Sequence, residues 1–155
     1  PYPTWVTEGH ISATPGDVID YDHIRADINA LGELHDIREI AVDRWNATQL
    51  VTQLDGDGFS VAMFGQGYRS MSAPSKELEA LVLGRKLRHA GNKVMRWMAA
   101  NVAVEMDPAA NIKPSKRRSS ERIDGIVALV MALARATAVA TDAGSVYDDR
   151  GMIEL

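Results

Sequence analysis

Apolar residues recur along this chain in short, separable blocks. Ile24, Ile28, Leu31 and Leu34 stand four, three and three residues apart. That spacing predicts one face of an amphipathic helix over 21–35. Ile37-Arg38-Glu39-Ile40-Ala41-Val42 reads as a strand that ends at Asp43. Asn46 is a candidate cap for a short helix carrying Leu50, Val51 and Leu54, broken by Asp55-Gly56-Asp57-Gly58. Phe59-Ser60-Val61-Ala62-Met63-Phe64 alternates as a strand does, and Gly65-Gln66-Gly67 follows as a loop. Pro74 suits the first turn of another helix, with Leu78, Leu81, Val82 and Leu87 on its buried side. His89-Ala90-Gly91-Asn92 is punctuation. From Val94 to Val104 the pattern fits either a helix, through Val94, Trp97, Met98 and Asn101, or a strand at Val102-Ala103-Val104. Asp107 to Arg118 is polar and contains prolines, which predicts a loop. Ser119 or Ser120 then caps a last helix, with Ile123, Ile126, Val127, Val130 and Leu133 buried, running to about Thr141. Before the first helix, Pro15-Gly16 marks a turn, and Trp5-Val6-Thr7 with His10-Ile11-Ser12 reads as a short strand or hairpin. The tail, 143–155, reads as an extended appendage.

Strand, helix, strand, helix is the order of an α/β layer structure with at least one parallel pair. The 155 residues fit one domain over 1–155. The chain opens on Pro-Tyr-Pro-Thr-Trp, with neither an initiator Met nor a signal-peptide pattern. That opening raises the expectation of a piece of something longer.

Composition narrows the chemistry. Cysteine is absent, which excludes disulfides, thiolate metal sites and cysteine nucleophiles. The 17 Lys and Arg against 21 Asp and Glu give a formal charge of −4, so a wholly basic nucleic-acid binder is excluded but a basic patch is not. The longest apolar run, Ile126–Ala134, is too short to span a bilayer, which takes roughly 20 residues. Asp55-Gly56-Asp57-Gly58 begins like a calcium loop, but Phe59 stands where the third ligand belongs and no Glu closes it. Gly65-Gln66-Gly67-Tyr68-Arg69-Ser70 lacks the last glycine of a dinucleotide loop, and no phosphate-binding Gly-Lys-Ser/Thr is present. His10, His23, His35 and His89 have no helical metal spacing, and there is no Gly-x-Ser-x-Gly.

Two acids and one basic stretch stand out. Asp43 lies at the C-terminal end of an apolar strand, where open α/β sheets place their sites; capping the next helix is the alternative. Asp124 sits in the first turns of an apolar helix. The helix dipole favours a carboxylate there, yet an acid on so apolar a stretch is costly unless paired or metal-bound. Between Lys113 and Arg122 lie five cations in ten residues, Lys113, Lys116, Arg117, Arg118 and Arg122. The alternatives are a solvated loop and a phosphate clamp beside a metal-binding carboxylate, which is what phosphodiester chemistry requires.

These residues resemble a known family. The run Asn111-Ile112-Lys113-Pro114 … Lys116 … Ile123-Asp124-Gly125-Ile126-Val127-Ala128 is similar to the C-terminal signature of tailed-bacteriophage terminase large subunits. Other pieces fit in the same order: Trp5 … Gly9 … Thr14-Pro15-Gly16, Ala41-Val42-Asp43-Arg44-Trp45, Phe64-Gly65-Gln66-Gly67, His89-Ala90-Gly91-Asn92 … Trp97 … Asn101, and Ser145-Val146-Tyr147. The resemblance covers nearly the whole chain and implies only the nuclease part, not the packaging ATPase. It implies a ribonuclease H-like fold, a mixed sheet with flanking helices, lacking here its first two strands. It implies cleavage of concatemeric viral DNA by metal ions held on acids. Asp43 matches the acid ending the fourth strand and Asp124 the acid on the final helix, while Lys113 and Lys116 fall in the loop before it. No residue matches the family's first-strand Asp. The resemblance further implies double-stranded viral DNA, the terminase small subunit and the portal as partners, and action in the host cytoplasm.

Oxygen-only ligands favour Mg2+ or Mn2+ over zinc. The expected catalytic and metal residues are Asp43 and Asp124, and the expected DNA-binding residues are Lys113, Lys116, Arg117, Arg118 and Arg122. An incomplete sheet would also favour pairing with a second copy. The alternative readings are a non-catalytic module that docks DNA or the packaging motor, and a small α/β domain with an unrelated role.

Overall fold

A computed structural model describes residues 1–44 and 48–143, with side chains to 138. Among the described residues the elements are α1 (Tyr2–Thr7), α2 (Tyr21–Leu34), β1 (Ile40–Asp43), α3 (Thr48–Gly56), β2 (Val61–Phe64), α4 (Tyr68–Leu83), α5 (Lys93–Asn101), β3 (Val104–Met106), β4 (Ile112–Pro114) and α6 (Asp124–Ala143). β1 and β2 are parallel, with Asp43 opposite Phe64, as a strand–helix–strand unit requires. β3 and β4 form a separate antiparallel pair. The described strands thus make two small sheets, not one mixed sheet.

α6 is the spine. Ile126, Val127, Val130 and Met131 are buried at helical spacing. Val127, Val130 and Met131 pack with Phe64, Met71 and Ile123, with Ala41, Leu78, Val102 and Ala134 around them. This core clamps the parallel pair and α4 onto one side of α6. Leu133 is only half-buried, and Met131 takes the inward position instead. Ser119 and Ser120 do not cap α6. The Ser119 hydroxyl donates to the Ser115 carbonyl at 2.8 Å and accepts from the Ala103 amide at 3.0 Å. The Ser120 hydroxyl donates to Asn101 Oδ1 at 3.0 Å. Ile123 precedes the helix, and its carbonyl accepts from the Ile126 and Val127 amides.

Other elements depart from the sequence pattern for identifiable reasons. The expected N-terminal strand is helix α1, with proline at its start, where a missing N–H costs nothing. Trp5 is buried, with edge-to-face contacts to Tyr2 at 5.5 Å and Trp97 at 5.2 Å between ring centres. The helix expected from Pro74 begins earlier, at Tyr68, because Met71 on the preceding turn supplies the buried anchor; Pro74 stands inside it. Val82, expected inside, is exposed. α3 continues through Gly56, and the chain reverses at Asp57-Gly58, where Gly58 adopts φ 95°. Val94–Val104 resolves into α5, capped by Asn92, whose Oδ1 accepts from the Val94 and Met95 amides, followed by β3. On α2, Leu31 and Leu34 are exposed and no residue is fully buried. α2 is held by polar contacts: Arg25 forms a bidentate pair with Asp57, and Asn29 Nδ2 donates to Asp57 Oδ2 at 2.8 Å. The expected cap at Asn46 and the tail beyond Ala143 lie outside the described residues. α6 itself runs to Ala143, slightly past the expected end.

Candidate functional site

β1 and β2 run parallel, so their C-terminal ends lie side by side. Asp43 ends β1, and Gly65-Gln66 continues directly from β2. Gln66 Nε2 donates to Asp43 Oδ2 at 2.8 Å and lies 3.9 Å from Met131 Sδ on α6. Asp43 is half-buried.

Asp124 opens α6, where the helix dipole favours its charge. Its position is set by the residue after it. A Cβ on Gly125 would stand 2.6 Å from Met95 Sδ and 2.9 Å from Met98 Sδ, so the absence of a side chain lets α5 close against the start of α6. The Asp124 carboxylate is exposed and pairs with Lys116 Nζ at 2.6 Å.

Gln66 and Lys116, the partners of the two acids, line one cleft of about 280 Å³. Neither acid is itself a lining residue; each contacts one that is, Asp43 through Gln66 and Asp124 through Lys116. Glu105, Lys113 and Arg117 also line it. The basic stretch is not all in the loop predicted from Asp107 to Arg118. Lys113 is on strand β4, not in a loop. It is half-buried, pairs with Glu105 at 3.1 Å and sits 5.1 Å over the Tyr68 ring. The Ser115 hydroxyl donates to Glu105 Oε2 at 2.8 Å. That bond first, and Lys113 second, hold the Glu105 carboxyl below its usual range. The turn carrying Lys116, Arg117 and Arg118 is fastened through Ser115 and Ser119, each hydrogen-bonded to Ala103. Arg117, Arg118 and Arg122 are exposed.

The donor type is the one that a hard divalent ion takes. Asp43 and Asp124 offer carboxylate oxygens, and Mg2+ is typically held by one or two carboxylates plus waters and substrate phosphates. Among the described residues no group of three or more His, Asp or Glu could hold a metal ion. Gln66 and Glu105, which line the cleft, and Tyr68, the ring beneath Lys113, were missed in the sequence. Only Gln66 carried a signal there, as part of Phe64-Gly65-Gln66-Gly67.

Residues 1–140 match the family described as terminase large subunit, endonuclease domain. The chain is 36% identical, over 151 residues, to the terminase large subunit of Enterobacteria phage HK97, covering 96% of this chain and 30% of that protein. It is 34% identical over 134 residues to protein YmfN of Escherichia coli K12, covering 85% of this chain and 30% of YmfN. The crystal structure of the HK97 large terminase superimposes with a TM-score of 0.80 at 36% identity, over 87% of this chain and 29% of that one. The chain thus spans about 30% of the length of these curated relatives. This chain belongs to the terminase large subunit endonuclease domain family.

Proposed function

We propose that this chain is the metal-dependent endonuclease part of a phage terminase large subunit, cutting concatemeric viral DNA during genome packaging. The supporting observation is that Gln66, bonded to Asp43, and Lys116, paired with Asp124, line one cleft that also carries Lys113 and Arg117. Asp43 and Asp124 would hold Mg2+ or Mn2+; a bound ion neutralises the scissile phosphate and lowers the pKa of attacking water. Lys113, fixed by Glu105 and Tyr68, presents a positioned cation in the cleft wall. Lys116 and Arg117 grip the DNA backbone, and Arg118 and Arg122 extend the positive surface beyond it. Between Lys113 and Arg122 no aromatic or amide residue interleaves with these cations in the sequence, so they set position, not sequence. The reading includes a ribonuclease H-like fold with β1 as its fourth strand. It also includes double-stranded viral DNA, the small subunit and the portal as partners, pairing with a second copy through an incomplete sheet, and action in the host cytoplasm.

A non-catalytic docking module is the second reading. It is favoured by one observation, the lack of a three-acid group among the described residues. For the same reason this chain alone should cut poorly. The test is nicking of supercoiled plasmid with Mn2+ by the full-length large subunit carrying this chain. Asp43→Asn and Asp124→Asn should each abolish cleavage. Wild-type cleavage by both variants would overturn the nuclease assignment of these acids.

A further inference from the structure

We propose that Gln66 is a positioning residue for Asp43, orienting its carboxylate toward the cleft for a divalent cation. The inference rests on the reading of Asp43 as a metal ligand and deepens it.

An aspartate at a strand end has two side-chain torsions free, so it presents oxygens in many directions. Gln66 removes that freedom. Its Nε2 donates to Asp43 Oδ2 at 2.8 Å. A carboxylate only accepts, so the nitrogen end of the amide must face it. The amide is backed by the Met131 sulfur at 3.9 Å, from the buried side of α6. Gln66 itself is half-buried and lines the cleft. Its place follows from chain geometry, since it comes two residues after Phe64, the register partner of Asp43. A capping role does not account for it: Gly67, not Gln66, precedes α4, and no side chain caps that helix. A neutral donor suits the task. It fixes one carboxylate oxygen without adding a positive charge that would repel a cation. Lys116 on Asp124 is the contrasting case, a charged and exposed partner.

Partners that orient metal-ligating side chains commonly contribute 10- to 100-fold to metal affinity. The test is Mn2+ binding to this chain, read from the free-ion electron paramagnetic resonance signal. Gln66→Met nearly keeps length and volume and removes the amide, and with it the donor to Asp43. It should weaken Mn2+ binding about 10-fold or more, with the thermal midpoint unchanged. Leu34→Ala, at an exposed position on α2, should bind within about twofold of wild type. In an Asp43→Asn background, Gln66→Met should cause no further loss, because the two residues act as one unit. Wild-type Mn2+ affinity in Gln66→Met, with Asp43→Asn still weakened, would overturn the positioning role and leave the metal reading standing. Equal binding by wild type and Asp43→Asn would overturn both.

Discussion

Lys116→Ala should move two binding equilibria in opposite directions. In the structure Lys116 Nζ lies 2.6 Å from Asp124 Oδ1, and the two side chains are 56% and 57% exposed. A pair that open to water is screened and entropically costly to hold, and contributes about 0.2–1 kcal/mol. A divalent ion that binds Asp124 must first displace this ammonium. Removing the lysine should therefore raise Mn2+ affinity by about 1.4- to 5-fold, which is that energy expressed as a ratio. DNA binding should respond the other way, because Lys116 also contributes a phosphate contact. Its loss should flatten the plot of log affinity against log salt by about 0.9 units, and loss of Arg117 as well by about 1.8. Electron paramagnetic resonance titration gives the first number, and fluorescence anisotropy on duplex DNA across a salt series gives the second. Lys116→Arg should keep both values near wild type. Refutation would be Mn2+ affinity falling in Lys116→Ala, or a salt slope unchanged in the double variant. The first would make Lys116 an aid to metal binding, and the second would make the turn a solvated feature only.

Acid should release α2 from the turn after α3. Asp57 is held at about 2 by hydrogen bonds from Arg25 and then Asn29. Its folded value is depressed, so its contribution is complete above the ordinary value of 3.8 and fades as pH falls toward about 2. Asp57→Asn should flatten the rise of thermal midpoint with pH in that window; a curve parallel to wild type would argue against the pair. Met71, 1% exposed, sits in the core, while Leu34 is 76% exposed. Met71→Ala should cost about 2–5 kcal/mol in chemical denaturation, and Leu34→Ala less than about 0.5. Similar losses would mean that the apolar face of α2 is buried after all.

Periodicity made some of this fold legible and hid the rest. The α6 stripe and the parallel strands ending at Asp43 and Phe64 were readable because their burial follows local spacing. On α2 the same kind of spacing predicted the helix, found at Tyr21–Leu34, but not its burial: Ile24 and Ile28 are half-buried, while Leu31 and Leu34 are exposed. The β-branched Val6 and Thr7 suggested a strand, whereas Trp5 packing on Trp97, far along the chain, makes a helix. Pro74 was readable as a helix residue but not as an interior one, because the anchor that extends the helix backward is Met71. At the site, Asp43, Asp124 and the cations were visible as residue types. Their partners were not, because Gln66 meets Asp43 only through parallel pairing, and Lys113 meets Glu105 and Tyr68 only through the β3–β4 hairpin and its packing on α4.

The central claim is that Asp43 and Asp124 hold a divalent ion at one cleft. Crystals grown with Mn2+ and measured at its absorption edge test it directly. The account predicts an anomalous peak about 2.0–2.3 Å from a carboxylate oxygen of each, the range typical of hard divalent ions, with Lys116 moved off Asp124 and Gln66 still bonded to Asp43. An ordered ion bound elsewhere, or the two carboxylates held on opposite faces of the sheet, would contradict it.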